Sequence, residues 1–149
     1  MSWGSYNQNS SGRNYHLGID VYGDSGYVYA MADGKIVASS SSNSGANGRF
    51  IVIEHNIGGK KCYSFYAHLK SLNVGNGSVK SGQLIAVAGG SANGKDNYYG
   101  THLHFAVVDS LWTAGNYYGY AYQFSGNKTY FQNVTYYNPM YVLQNKKLP

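Results

Sequence analysis

The side chains with the widest chemical reach in this chain are its five histidines and six carboxylates. His16 and Asp20 stand four residues apart in Tyr15-His16-Leu17-Gly18-Ile19-Asp20-Val21. His102 and His104 stand two apart in Thr101-His102-Leu103-His104-Phe105, and His68 closes Tyr66-Ala67-His68-Leu69. Side chains at i, i+2 and i+4 of a strand share one face. His102 and His104 on a strand would therefore point the same way, roughly 7 Å apart. Leu103, Phe105 and Val107 would point to the opposite face and into a core. If residues 16–20 are extended too, His16 and Asp20 share a face, with Gly18 leaving room between them. A catalytic zinc takes three N or O ligands and keeps a fourth position for water, and two His with one carboxylate are a common set. Neither HxH nor HxxxD decides this alone, since strand-face histidine pairs are often structural. Their company with His68, in a chain with so few histidines, points to metal.

Other chemistries lack their parts. Glu54 is the only glutamate, and no HExxH is present. There is no GxSxG elbow and no GxxxxGK[ST] loop to cradle phosphate. Cys62 has no CxxC partner and no recognisable nucleophile context; it is expected to be a small buried hydrophobe. Asp20, Asp24, Asp33, Glu54, Asp96 and Asp109 suggest no carboxylate pairing suited to glycoside hydrolysis.

The elements that would carry these residues are almost all strands. Short runs rich in Val, Ile, Tyr and Phe recur between Gly, Ser and Asn clusters. They are 27–30, 35–39, 50–55, 62–68, 83–88 and 102–108. Asn56-Ile57-Gly58-Gly59 is a hairpin signal between two of them. Residues 39–48 and 89–100 are expected as surface loops, being rich in Gly, Ser and Asn. A turn or two of helix is expected near Pro139–Leu143. Residues 112–137 form a Tyr/Gly/Asn-rich stretch, expected as a long loop with one or two edge strands, either an irregular lobe or a wall of a substrate site. Tyr98-Tyr99 and Tyr117-Tyr118 would serve in such a wall. No repeat or domain boundary is evident. The fold expected is mainly β, a small antiparallel sheet or sandwich with little helix.

At 149 residues and 16.3 kDa the chain suits one domain. The expected division is a core at 15–109, a Tyr-rich lobe at 110–137 and a closing segment at 138–149. Net charge is +5, with 17 tyrosines, but Lys and Arg are scattered singly apart from Lys60-Lys61 and Lys146-Lys147. That pattern lacks the basic stripe of a nucleic-acid binder, so no nucleic-acid partner is expected; a mild positive balance would also suit an anionic wall polymer. No apolar run approaches the ~18–20 residues of a membrane span, and no membrane insertion is expected. The N-terminus carries no signal-peptide pattern, which leaves a free domain or a piece of a longer chain.

HLGID at 16–20 (with His16 first), YAHL at 66–69 and THLHF at 101–105, in that order, resemble the signature of the lysostaphin- and LytM-type zinc endopeptidases. The segments between agree. Ala32–Val37 resembles the family's strand after the Asp ligand, Ile51–His55 its VxIxH strand, Val79–Ile85 its VKxGQxI segment, and Asn138-Pro139 its closing DP turn. The likeness spans residues 15–109 and returns near 138–143. Thr101 replaces the Pro common before HxH, and 89–100 lacks the usual Ser/Thr-Gly pattern, which touches substrate preference rather than the metal set.

The resemblance implies that His16, Asp20 and His104 hold Zn2+ and that His68 and His102 are the non-ligand catalytic histidines. His102 would be the general base. His68 would hydrogen-bond the developing oxyanion or protonate the leaving amine; the sequence leaves open which of the two histidines does which job. His55 would be structural, and Tyr66, on a strand face with His68, would either line the cleft or pack. The activity implied is endopeptidase cleavage of peptidoglycan cross-bridges or stem peptides, with a carboxypeptidase as a rival within the class. An inactive wall-binding or phage-tail domain of the same fold is the alternative. The implied setting is extracellular or cell wall, or a phage tail or endolysin, working as a monomeric domain.

Overall fold

In this computed structural model, residues 1–8, 10–23, 26–111 and 119–149 are described. A long strand, β6 (Lys60–Leu72), organises the molecule. On one side it pairs antiparallel with β5 (Arg49–Ile57), which continues to β4 (Gly34–Ser40) and the short β7 (Gly77–Val79). On the other side it changes partner along its length. Tyr63–Ala67 pairs with β9 (Leu103–Val108), and Leu69–Leu72 pairs with β8 (Leu84–Ala88), itself joined to β3 (Tyr27–Tyr29). The change falls at His68, a bulge.

The far edge of β9 is also shared. Its first half pairs with β2 (Ile19–Val21), and its last residues pair with β12 (Val134–Tyr137), the inner strand of a hairpin with β11 (Lys128–Phe131). A separate two-stranded ladder joins β1 (Tyr15–His16) to β10 (Tyr120–Ala121).

The strand alternation expected from the sequence is present and serves two cores. Ile51, Ile53, Cys62, Tyr66, Phe105 and Val107 face one core, closed by residues from β3, β7, β8 and the C-terminal helix. Val52, Tyr63, Phe65, Ala67, Ala106 and Val108 face the other, closed by Leu17, Ala121 and Phe131. Strands buried on both faces read as apolar runs, which is the character of 62–69 and 103–108.

Local chemistry accounts for the connections. Gly58 and Gly59 have φ of 61° and 81° between Ile57 and Lys60, a two-residue turn needing positive φ at both positions. The helix α1 (Pro139–Asn145) begins with Asn138 Oδ1 accepting from Met140 N and with Pro139 in the first turn; it ends at Lys146 in the left-handed region. The Tyr-rich stretch supplies three strands, β10–β12, where one or two were expected. Tyr117 and Tyr118 lie outside the described residues.

Two expectations end in the core. Cys62 is fully buried, and burial pushes its thiol up to about 11, so it is inert packing. Tyr66 is buried with its hydroxyl accepting from Met31 N at 2.9 Å; it packs and does not line a cleft. The bulge separates it from His68 and sends the two side chains to different faces. His55 is buried on the strand face of Ile51 and Ile53. Its Nδ1 donates to the Asp33 carbonyl at 2.8 Å, and its Nε2 lies 2.7 Å from Ser64 Oγ.

Candidate metal centre and active site

Residues 16–20 are not one extended strand. β1 ends at His16, the chain bends at Leu17-Gly18, and β2 begins at Ile19 in a different sheet. The bend wraps the segment over β9. Gly18 makes that approach possible, since a Cβ there would lie 2.6 Å from the Phe105 carbonyl oxygen and 2.9 Å from His104 Cε1. Asp20 and His104 are register partners across β2 and β9, which puts their side chains on one face. His16 returns to the same point from the other side of the bend.

The three ligating atoms form a near-regular triangle. His16 Nε2 is 3.3 Å and His104 Nδ1 is 3.2 Å from Asp20 Oδ1, and the two nitrogens are 3.2 Å apart. Ligands about 2.0–2.1 Å from a tetrahedral zinc stand about 3.3–3.4 Å from one another. The donor set therefore fits zinc in both chemistry and spacing. It is the only such cluster of three His, Cys, Asp or Glu among the described residues.

The surroundings hold the ligands in the right form. His16 Nδ1 donates to the Ser2 carbonyl at 3.2 Å, leaving the Nε2 lone pair toward the centre. Burial raises the affinity of the Asp20 carboxylate for a proton, but hydrogen bonds and charge from His104 and His16 outweigh it and hold the group far below the usual carboxylate range. Burial likewise pushes the His104 imidazole down, against the pull of Asp20, which favours the neutral ring a metal needs.

His102 and His68 stand beside this triangle. His102 Nε2 is 4.0 Å from Asp20 Oδ1, and its Nδ1 donates to the Gly100 carbonyl at 2.7 Å. His68 Nδ1 donates to the Ser91 carbonyl at 3.1 Å, and its ring centroid is 5.0 Å from that of His102. A carbonyl only accepts, so each neutral ring carries its hydrogen on Nδ1 and leaves Nε2 bare. Burial lowers the His68 pKa to about 4, with His104 acting in the same direction. His68 gets its direction from the bulge: its φ is 62°, and two residues, Ala67 and His68, oppose Phe50 alone. Without that extra residue, alternation would send His68 to the core shared by Tyr66.

The centre lies at the base of an open cleft of about 520 Å3. One rim is the 44–48 segment, tied to the 89–100 loop by Arg49 Nη1 to Asp96 Oδ1 at 2.7 Å and by Asn43 Nδ2 to the same oxygen at 2.9 Å. Both loops expected at the surface thus form part of the cleft. Tyr99 stacks edge-on against His68 with centroids 4.8 Å apart, Tyr22 lies near His102, and Tyr120 lies against His16 with centroids 5.4 Å apart. Met1 also reaches in, its amine 3.4 Å from Asp20 Oδ2. Tyr22, Phe50 and Tyr120 have no motif that spacing could reveal. Nor has Ser91, wholly buried, whose Oγ donates to the Leu69 carbonyl at 2.7 Å and so braces the bulge.

Residues 14–118 match peptidase family M23 over most of the core and all three histidine motifs. The chain belongs to peptidase family M23. Membership places it among the peptide hydrolases. The catalytic domain of lysostaphin from Staphylococcus simulans is similar at 31% identity and a TM-score of 0.59, over 75% of this chain and 80% of that one. The solution structure of lysostaphin gives 26% identity and a TM-score of 0.65, covering 98% of this chain but 49% of the other. This chain thus spans about half the length of that relative. A zinc-containing peptidase from Vibrio cholerae is 30% identical, with a TM-score of 0.55, over 72% of this chain and 32% of that one. No curated protein matches the chain. The family match stops at residue 118, so the N-terminal segment 1–13, β10 and the β11–β12 hairpin lie outside it.

Proposed function

We propose that this chain is a zinc-dependent endopeptidase that hydrolyses peptide bonds of bacterial peptidoglycan, in cross-bridges or stem peptides. The observation that carries the reading is the 3.2–3.3 Å triangle of His16 Nε2, Asp20 Oδ1 and His104 Nδ1, with two further imidazoles beside it. These three residues would hold the ion. When bound, zinc supplies Lewis acidity, which acidifies water and polarises a carbonyl.

The remaining work falls to the protein. His102 Nε2, bare and next to the ligand carboxylate, takes the proton of the attacking water and returns it to the leaving amine. His68 keeps its Nε2 as an acceptor and orients the water. With its Nδ1 hydrogen on the Ser91 carbonyl, the neutral His68 ring accepts rather than donates on the cleft side. Glutamate takes no part, because Glu54 lies in the β5 ladder opposite Lys35 and Tyr63. An open, glycine-lined rim suits a flexible peptide polymer better than a single bulky side chain. A wall substrate puts the site of action outside the cell or on a phage particle.

The test is digestion of purified peptidoglycans with different cross-bridges, with mass spectrometry of the products. New peptide amines and carboxylates should appear, vanish with a chelator and return with added zinc. Cleavage that survives complete metal removal, or products cut only in the glycan, would overturn the proposal.

A further inference from the structure

His68 is held in a conformation that its own backbone does not favour. Its φ of 62° lies in the left-handed region, sparsely populated by residues other than glycine. Such a residue persists only where its surroundings fix it. Its backbone is fixed from two sides: His68 N donates to the Asn47 carbonyl at 3.0 Å, and the His68 carbonyl accepts from Gly89 N at 3.0 Å. Its ring is fixed through Nδ1, which donates to the Ser91 carbonyl at 3.1 Å. Whatever holds that carbonyl decides where His68 Nε2 points.

The local sequence, Gly89-Gly90-Ser91-Ala92, is small and permissive. The Ser91 side chain supplies the hold. It is wholly buried, and its Oγ donates to the Leu69 carbonyl at 2.7 Å and accepts from Arg49 N at 3.0 Å. One hydroxyl thus ties its loop to the residue after His68 and to the residue after the 44–48 rim. The fit is close, for a Cβ on Gly48 would stand 2.0 Å from the Ser91 carbonyl oxygen and 2.5 Å from its Oγ. None of these bonds goes to His16, Asp20 or His104.

Resting on the peptidase reading above, in which His68 orients the attacking water, we propose that Ser91 is a positioning residue of the reaction: its hydroxyl locks the carbonyl that holds the His68 ring and so keeps Nε2 aimed into the cleft. The lock also joins the rim to the ring. Asn47 holds the His68 backbone and Arg49 holds the Ser91 hydroxyl, so the 44–48 segment and the imidazole are fixed as one unit. Arg49 is anchored in turn, with Nη1 on Asp96 Oδ1 at 2.7 Å and Nε donating to the Ser41 carbonyl at 2.9 Å. Without the hydroxyl the Ser91 carbonyl can turn. The His68 ring then rotates, or shares its hydrogen between Nδ1 and Nε2.

The experiment compares the wild type with Ser91→Ala, which removes the hydroxyl, and with Ser91→Cys, which keeps its volume but offers only a weak donor and acceptor. The measurements are kcat and KM on a soluble cross-bridge peptide that the wild type cleaves, zinc stoichiometry, and the ring nitrogen signals of His68 by NMR. Those signals are assigned by their loss in His68→Gln. The expected result is a KM within a few-fold, full zinc content, and a kcat lower by about 10- to 100-fold, since a misplacement of ~1 Å can cost about 10²-fold. The wild-type ring should show its hydrogen on Nδ1 alone, and the variants a mixture of the two neutral forms. If Ser91→Ala does not fold, Ser91→Cys decides. A kcat within twofold of wild type, an unchanged His68 ring signal, or a loss of rate explained by lost zinc would overturn the assignment of Ser91. If the zinc-loaded wild type cleaves no peptidoglycan peptide, it is the peptidase reading that fails, and the ring signals still show whether Ser91 holds His68.

Discussion

Replacing Gly18 by alanine should damage the metal site without touching a ligand. Gly18 does not have the positive φ that would exclude alanine, so the cost is steric alone. The new Cβ would stand 2.6 Å from the Phe105 carbonyl oxygen, 2.9 Å from His104 Cε1 and 3.1 Å from His104 Nε2. The first contact is about 0.9 Å inside the ~3.5 Å at which non-bonded atoms rest, the second about 0.6 Å. The carbonyl cannot retreat, because Ile19 pairs with Phe105 and Asp20 with His104 across the same two strands. The His104 ring must move instead, and it forms one corner of a triangle with 3.2–3.3 Å edges. Overpacking of this size costs about 1–3 kcal/mol of stability. Disturbing a ligand's support weakens metal binding by about 10–100-fold. Zinc affinity is measured by competition with a chromophoric chelator, and stability by denaturant unfolding of the metal-free protein. Turnover at saturating zinc should recover in part, since excess metal compensates for weak binding but not for misplaced geometry. A Gly18→Ala protein with wild-type zinc affinity and unchanged stability would refute this account of how the His104 ring is confined.

The ligand and non-ligand histidines should separate cleanly. His104→Ala should lose both zinc and hydrolysis, whereas His102→Ala should retain zinc and lose about 10²–10⁴-fold in rate; metal analysis beside turnover decides, and a metal-loaded His102→Ala enzyme at full rate would refute the base assignment. Acid should destabilise the fold through His55, whose pKa is lowered, chiefly by burial. The unfolded chain, with a pKa near 6.5, then binds the extra proton first. The contribution of His55 is thus fully present above about pH 6.5 and is lost as pH falls toward its folded value, at up to about 1.4 kcal/mol per pH unit. Denaturant midpoints at pH 7.5 and 5 should show a smaller acid loss in His55→Gln than in wild type; an equal loss would show that His55 carries none of it.

How legible the site was depended on whether a residue's role is local. His102 and His104 could be placed on one face because alternation along a strand is a property of the backbone itself. The order of HLGID, YAHL and THLHF pointed to a family, and with it to His16, Asp20 and His104 as a set. The segment 16–20 was harder, since its bend depends on close packing over β9, and only the partner strand makes that packing necessary. Tyr66 and His68 show the limit more sharply. Two residues apart, they should share a face, yet one is core and the other is at the cleft. The extra residue opposite Phe50 and the positive φ of His68 break the alternation, and a bulge leaves little trace in composition.

What the order of amino acids determined alone was therefore the strand-rich class, the hairpin at Gly58-Gly59, the helix start at Asn138-Pro139 and the identity of the five residues around the centre. Each rests on backbone preference, side-chain alternation or a motif in the chain. The tertiary structure decided the rest: the pairing of Asp20 with His104, the hydrogen bonds that fix each ring nitrogen, the bracing by Ser91, and the arrival of Tyr120 beside His16. Those depend on groups many residues apart meeting in space, and side chains that touch only after folding impose no spacing on the chain.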